Sequence, residues 1–335
     1  MRELDSPQFR GIMILNFLCV GLLCIPRLMV SQTDPLPACA LAFTLALCCA
    51  FLTGRTRIKS GILMFMLFIK LLIEGGMILR IFEEFISTVL LPSSANYIIG
   101  GILILCIAIG ISGGIKPSAR AARLIMPLVF VIFTLCILLS SVKTDFSGLL
   151  SPTLPDTASI FETAYISAMM FFPMELAFFT RKNHAKDSII SVIAAGSLVF
   201  AASAIWQARF NYPTAFPVLD LTYSGGLSAA FMRAEEGALV CITTAAVYFT
   251  VETFVCSAAF CTGRPKGYMP VLCGIAVFIL SLIPLSLENA KSVLYITAIT
   301  GDGLFMLIVP VIKLLLDEYK KSVSASRNTR REKLT

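Results

Sequence analysis

Charge is scarce in this chain. Asp, Glu, Lys and Arg make up 14% of its 335 residues, where a soluble domain carries about 25%. An ordinary soluble globular protein is excluded, and so is a large soluble domain, because no long stretch of soluble composition is left over. Histidine is reduced to His184 alone, which excludes any mechanism needing two histidines. The eleven cysteines include no C-x-x-C pair, and nearly all lie in apolar runs. That argues against a disulfide framework or a zinc site and leaves them as small packing residues. Neither a Walker-type P-loop nor a G-x-G-x-x-G is present, so nucleotide-driven transport within the chain is not expected.

What the chain has is apolar length. Residues of apolar type make up 57%, enough for about ten spans of roughly 20 residues each. Apolar segments are read at about 11–30, 36–53, 61–81, 97–112, 121–142, 160–180, 188–206, 237–260, 268–286 and 293–315. Backbone in lipid must satisfy its own hydrogen bonds, so each is expected to be a helix. The expected fold class is an all-α polytopic membrane protein of about ten transmembrane helices. It forms one transmembrane domain over 1–316, followed by a basic cytoplasmic tail over 317–335. The first segment lacks an A-x-A site and is read as a retained span.

The net charge of +7 does not indicate nucleic acid, because the basic residues sit in short connections and in the tail. Twenty Lys and Arg fall on one side of the expected membrane, six on the other, and Lys70 falls inside it. That asymmetry puts both termini in the cytoplasm. The longest connection, 207–236, is itself apolar and broken by Pro213, Pro217 and Gly225-Gly226. It is expected to cap an outer vestibule or to lie on lipid headgroups.

Interrupted helices at matching places in two halves mark transporter-like cores. Helix 1 holds Gly21 and Pro26, and helix 6 holds Pro173. These are the first helices of two five-helix halves, about 11–142 and about 160–315, running in opposite directions. The ionisable residues within spans are Lys70, Glu74, Glu175, Glu252 and Asp302, each costly to insert. Lys70 and Glu74 are spaced i, i+4 and could pair. Glu175 follows the helix 6 break by two residues, where an unwound segment meets a cavity. Asp302 lies between Gly301 and Gly303. Thr243, Thr244 and Thr250 offer helix 8 hydroxyls for an ion, or for a back-bond to their own helix. Gly110-Ile111-Ser112-Gly113-Gly114 fits G-x-S-x-G, but it ends a membrane helix and has no histidine partner, so close helix packing is expected there.

Several runs resemble the spore germination permease family, the GerAB-type B subunits of endospore germinant receptors. The most specific is Ile78-Leu79-Arg80-Ile81-Phe82-Glu83-Glu84-Phe85-Ile86 followed by Leu91-Pro92, similar to the family's "L-R-x-F-x-E-F-I … L-P". Ser6-Pro7-Gln8-Phe9 is similar to its opening, and Leu23-Cys24-Ile25-Pro26-Arg27 to its end of helix 1. Arg120 with Pro127, Glu175, Tyr212-Pro213 and Arg233-Ala234-Glu235 match further positions. The chain departs from the family at Pro37-Ala38, Ser93-Ser94, Arg123 and Pro173.

The resemblance implies an amino acid–polyamine–organocation (LeuT-type) fold with five-plus-five inverted repeats. It also implies an endospore former, the inner spore membrane or cell membrane, and partner A and C subunits. The expected function is a receptor subunit binding a small germinant such as an amino acid between helices 1, 3, 6 and 8. Gly21, Leu22, Cys24, Phe171, Phe172 and Pro173 would hold its polar ends, with Glu74, Glu175 and Thr243 completing the pocket. Lys70, Glu74, Thr250, Glu252 and Asp302 would line an ion or proton path. No metal, cofactor or catalytic step is expected. The alternatives are a secondary amino-acid transporter coupled to protons or Na⁺, a ligand-opened ion path, and a structural anchor with a degenerate pocket.

Overall fold

In the computed structural model the described residues are 4–23, 35–58, 60–91, 95–111, 114–142, 144, 157–170, 174–180, 184–209, 229–263 and 267–319. Among them every regular element is helical. The helices are α1 (Ser6–Leu23), α2 (Pro35–Arg55), α3 (Gly61–Val89), α4 (Asn96–Ile111), α5 (Ile115–Ser141), α6 (Thr157–Met169), α7 (Ala185–Arg209), α8 (Ala229–Cys261), α9 (Met269–Ser281) and α10 (Leu287–Thr297). A 3-10 helix, Met174–Phe179, follows α6, and a π-helical stretch, Ala298–Ile308, continues α10. Among the described residues six helices are long and apolar enough to cross a membrane, and α4 and α9 are shorter apolar helices.

The helix starts follow local chemistry. Pro35, Pro117 and Pro270 fall in first turns of α2, α5 and α9, where a missing N–H costs nothing. Ser286 caps α10 by accepting from the Asn289 amide at 3.2 Å. Pro127 lies inside α5, and membrane helices tolerate such a break when neighbouring groups take up the freed carbonyl.

The outer surface is unlike that of a soluble protein. Leu124 is 79% exposed on α5, with Leu128, Val131, Leu135 and Leu138 also outward. Inside are Asn16, Lys70, Glu74, Ser167, Glu175, Thr243 and Asp302. An apolar outside, with the charged groups of the spans turned into the core, is what a lipid solvent selects, and it makes the chain an integral membrane protein.

Helix α3 is the hub. It packs against α4, α8, α9 and α10. Its 29 residues span about 43 Å at the helical rise, longer than the hydrocarbon core of roughly 30 Å, so it crosses tilted or projects beyond the core. Helix α1 packs on α5, α7 and α8, and α2 on α6 and α7. Asn16 on α1 donates to the Thr253 hydroxyl of α8 at 3.4 Å. Gly54 of α2 lies so close to α7 that an added Cβ would sit 2.5 Å from the Ala185 Cα.

The ends of α1 and α7 are tied by charge. Arg10 Nε meets Asp187 Oδ1 at 3.1 Å, and the His184 ring meets Asp187 Oδ2 at 2.9 Å. His184 stacks on Phe9 at 4.3 Å. His184 is 1% exposed, because Phe9 and Asp187 give it an apolar face and a polar partner.

Candidate functional site: a buried charge centre on three helices

The site begins on α3. Its i, i+4 spacing sets Lys70 and Glu74 on one face, with Nζ 3.1 Å from Glu74 Oε2. The helix 6 region brings Glu175 to the same ammonium. Helix α6 ends at Met169 and a 3-10 helix begins at Met174, so Glu175 stands in the first turn of the latter. Lys70 Nζ donates to Glu175 Oε1. The third carboxylate comes from the π stretch, where Asp302 Oδ1 contacts Lys70 Nζ.

The π stretch makes room for this meeting. Gly301 has no Cβ, and one placed there would lie 3.2 Å from Lys70 Cγ. A Cβ on Gly303 would run into the Tyr165 hydroxyl, which donates to the Ile299 carbonyl at 3.0 Å. Pro310 lies just past the stretch; having no N–H, it cannot close an ordinary α-turn. Widened turns of this kind recur at functional sites.

All four groups are sealed from the surface, with Lys70 5% exposed and the three carboxylates at 0%. The carboxylate oxygens of Glu74, Glu175 and Asp302 lie within 4.8 Å of one another. At such a spacing two ionised carboxylates repel by on the order of 3 kcal/mol in an effective dielectric of about 20. One ammonium faces three acids, so the fully ionised centre lacks two positive charges. The oxygens of Glu74 and Asp302 make no hydrogen bond among the described residues; their link to Lys70 is ionic. Three hard oxygen ligands at this spacing fit a proton, a ligand ammonium or a metal cation. The sequence reading assigned no metal, since nothing in the helix text brings these three acids together.

The other residues singled out from sequence either have surroundings of their own or fall outside the described residues. Gly21 packs on α7, where an added Cβ would meet the Val199 side chain. Cys24, Phe171, Phe172, Pro173 and the side chain of Leu22 lie outside the described residues, as does Pro26. Thr243 is fully buried, and its hydroxyl has no hydrogen-bond partner among the described residues. Thr244 and Thr250 back-bond to Val240 and Ala246, each at 2.8 Å. Glu252 accepts from Ser118 on α5, away from Lys70.

Glu83 was not among the buried charges read from sequence. It is 0% exposed, accepts from Ser281 of α9 at 3.1 Å and faces Arg80 at 3.5 Å. Glu84 completes this knot by accepting from Arg80 at 2.6 Å and from Asn96 of α4 at 2.9 Å. The apolar window ended at 81, whereas α3 runs to Val89. The "L-R-x-F-x-E-F-I" resemblance was the signal that could have placed Glu83 inside.

The sequence matches no family model and no curated protein. Among solved structures, the chain is similar to a manganese transporter of Eremococcus coleocola, determined in complex with an aromatic bis-isothiourea substituted compound. The TM-score is 0.46 at 13% identity, covering 95% of this chain and 73% of that one.

Proposed function

We propose that this chain binds a small amine-bearing solute, of the amino-acid type, at the Lys70–Glu74–Glu175–Asp302 centre. The carrying observation is that three buried acids from α3, the segment after α6, and the π stretch share one ammonium. Such a centre is short of positive charge, and a ligand ammonium supplies some of it. Binding changes the balance between conformations through differential affinity. The role is binding and signalling or transport, not catalysis.

The motif runs around Arg80 and Glu175 support the finer reading. The chain is then the B-type subunit of an endospore germinant receptor, working with A and C subunits in the inner spore membrane. On this reading it has ten spans in two inverted halves of five, with both termini in the cytoplasm. The excess of carboxylate favours one second reading, a secondary amino-acid transporter coupled to protons or Na⁺.

The test is Glu175→Gln, with Glu162→Gln on the exposed face of α6 as control. In spores, Glu175→Gln is expected to lower the germination response to amino acids at least tenfold, and Glu162→Gln to leave it unchanged. Uptake of a labelled amino-acid panel into proteoliposomes holding the chain alone separates the two readings. Uptake lost in Glu175→Gln makes it a transporter; no uptake by a folded preparation leaves the receptor. A normally expressed Glu175→Gln protein with full response and full uptake would sink both.

A further inference from the structure

A groove of about 930 Å³ lies between α3, α4, α5 and α8, apart from the charge centre. Its walls are apolar, with Phe82, Leu103 and Phe249 among them. Leu91 and Ile102, also on its wall, are exposed, so it opens toward the lipid-facing surface.

One wall covers a carboxylate. Gly110, Ser118 and Tyr248 line the groove, and all three come up to Glu252 or to its immediate neighbours. Ser118 donates to Glu252 Oε1. That oxygen lies 3.3 Å from where a Cβ on Gly110 would stand, and the Tyr248 hydroxyl crowds the same point. Glycine at 110 leaves room for the Tyr248 hydroxyl on the groove wall and for the Glu252 carboxylate just behind it. Glu252 is 2% exposed. The other fully buried carboxylates each face a cation, Lys70 or Arg80. Glu252 faces no cationic side chain among the described residues.

A buried carboxylate served, among the described residues, by the Ser118 hydroxyl alone is an expensive arrangement. Beside an apolar groove it is complementary to one class of molecule. We propose that the groove is a second binding site, for a lipophilic amine. The apolar body lies along α3, α4 and α8, where burial of hydrocarbon is favoured. The protonated amine reaches Glu252 beside Ser118, forming the charge-assisted hydrogen bond that the site lacks. The inference is independent of the solute proposed for the Lys70 centre.

The chain carries its own reporters. Cys106 and Cys241 line the groove and are exposed, while Cys48 is exposed on α2 outside it. Thiol modification of the purified full chain is followed at each cysteine by peptide mass spectrometry, with decylamine and decanol as probes. Decylamine is expected to protect Cys106 and Cys241 at about tenfold lower concentration than decanol and to leave Cys48 unchanged. Glu252→Gln is expected to bring the amine down to the alcohol's potency. Ala245→Trp, on the groove wall with Glu252 intact, is expected to abolish protection by both.

Equal potency of amine and alcohol on the natural chain overturns the proposal. So does slowing of Cys48 in step with the groove cysteines, which marks general adsorption. Groove cysteines that are unreactive before any probe is added show a lipid chain or protein helix as occupant, and also overturn it. Should Glu252→Gln fail to fold, the natural chain and Ala245→Trp still decide.

Discussion

At the scale of single residues, Lys70 carries the most consequence. Its ammonium is the shared partner of Glu74, Glu175 and Asp302. Lys70→Met keeps the apolar stem and removes the charge. Breaking a buried ion pair by deleting one partner costs about 3–5 kcal/mol, and thermal unfolding in detergent is expected to show a loss of that order. Adding Glu74→Gln removes one stranded acid and is expected to restore part of the loss, since groups in one network are coupled. Equal instability of the single and double variants would show that the acids do not depend on Lys70. All four residues were visible in the sequence because charge within a span is rare. Only the i, i+4 pair could be joined from it. Glu175 lies 105 positions from Lys70, and no local pattern encodes that contact, so binding and ion-path roles were read separately for what the structure makes one centre.

At the scale of elements, the decisive feature is the π stretch of α10. The sequence reading was one regular helix over about 293–315, with breaks only in helices 1 and 6. The signals for the irregularity were present as Gly301, Gly303 and Pro310, but glycine and proline are common in membrane helices and do not specify a register. The structure gives them separate reasons: Gly301 admits the Lys70 stem and Gly303 admits the Tyr165 hydroxyl. That hydroxyl satisfies the Ile299 carbonyl. Gly303→Ala is therefore expected to cost about 1–3 kcal/mol, as overpacking does. Combined with Tyr165→Phe, which removes the crowding oxygen, it is expected to recover most of the packing loss while leaving the Ile299 carbonyl unserved. Thermal unfolding of the two singles and the double checks this. A Gly303→Ala protein as stable as the natural chain would mean that the π stretch is not held by Tyr165.

At the scale of the whole molecule, composition was enough for a membrane-embedded helical protein, because lipid leaves the backbone few options. The centre of gravity was not legible. The interrupted helices pointed to helices 1, 3, 6 and 8 around a pocket, whereas the charged residues gather α3, the segment after α6, and the continuation of α10. Which helices become neighbours depends on small-residue contacts such as Gly54 against Ala185, and these have no signature beyond a glycine in an apolar run.

Orientation is a different kind of global property, set by the sum of loop charges. The ten-span reading of the sequence puts twenty basic residues on the side that includes Arg55, Arg57, Lys116, Arg120, Arg264 and the tail, against six on the other. On the proposed orientation that excess sets the basic side in the cytoplasm, and the Arg10–Asp187 tie between the starts of α1 and α7 with it. A fluorescent protein that matures only in the cytoplasm, fused after Thr335, is expected to fluoresce, and alkaline phosphatase at the same point to stay inactive. An active phosphatase would reverse the orientation and put the Arg10–Asp187 tie on the outer face.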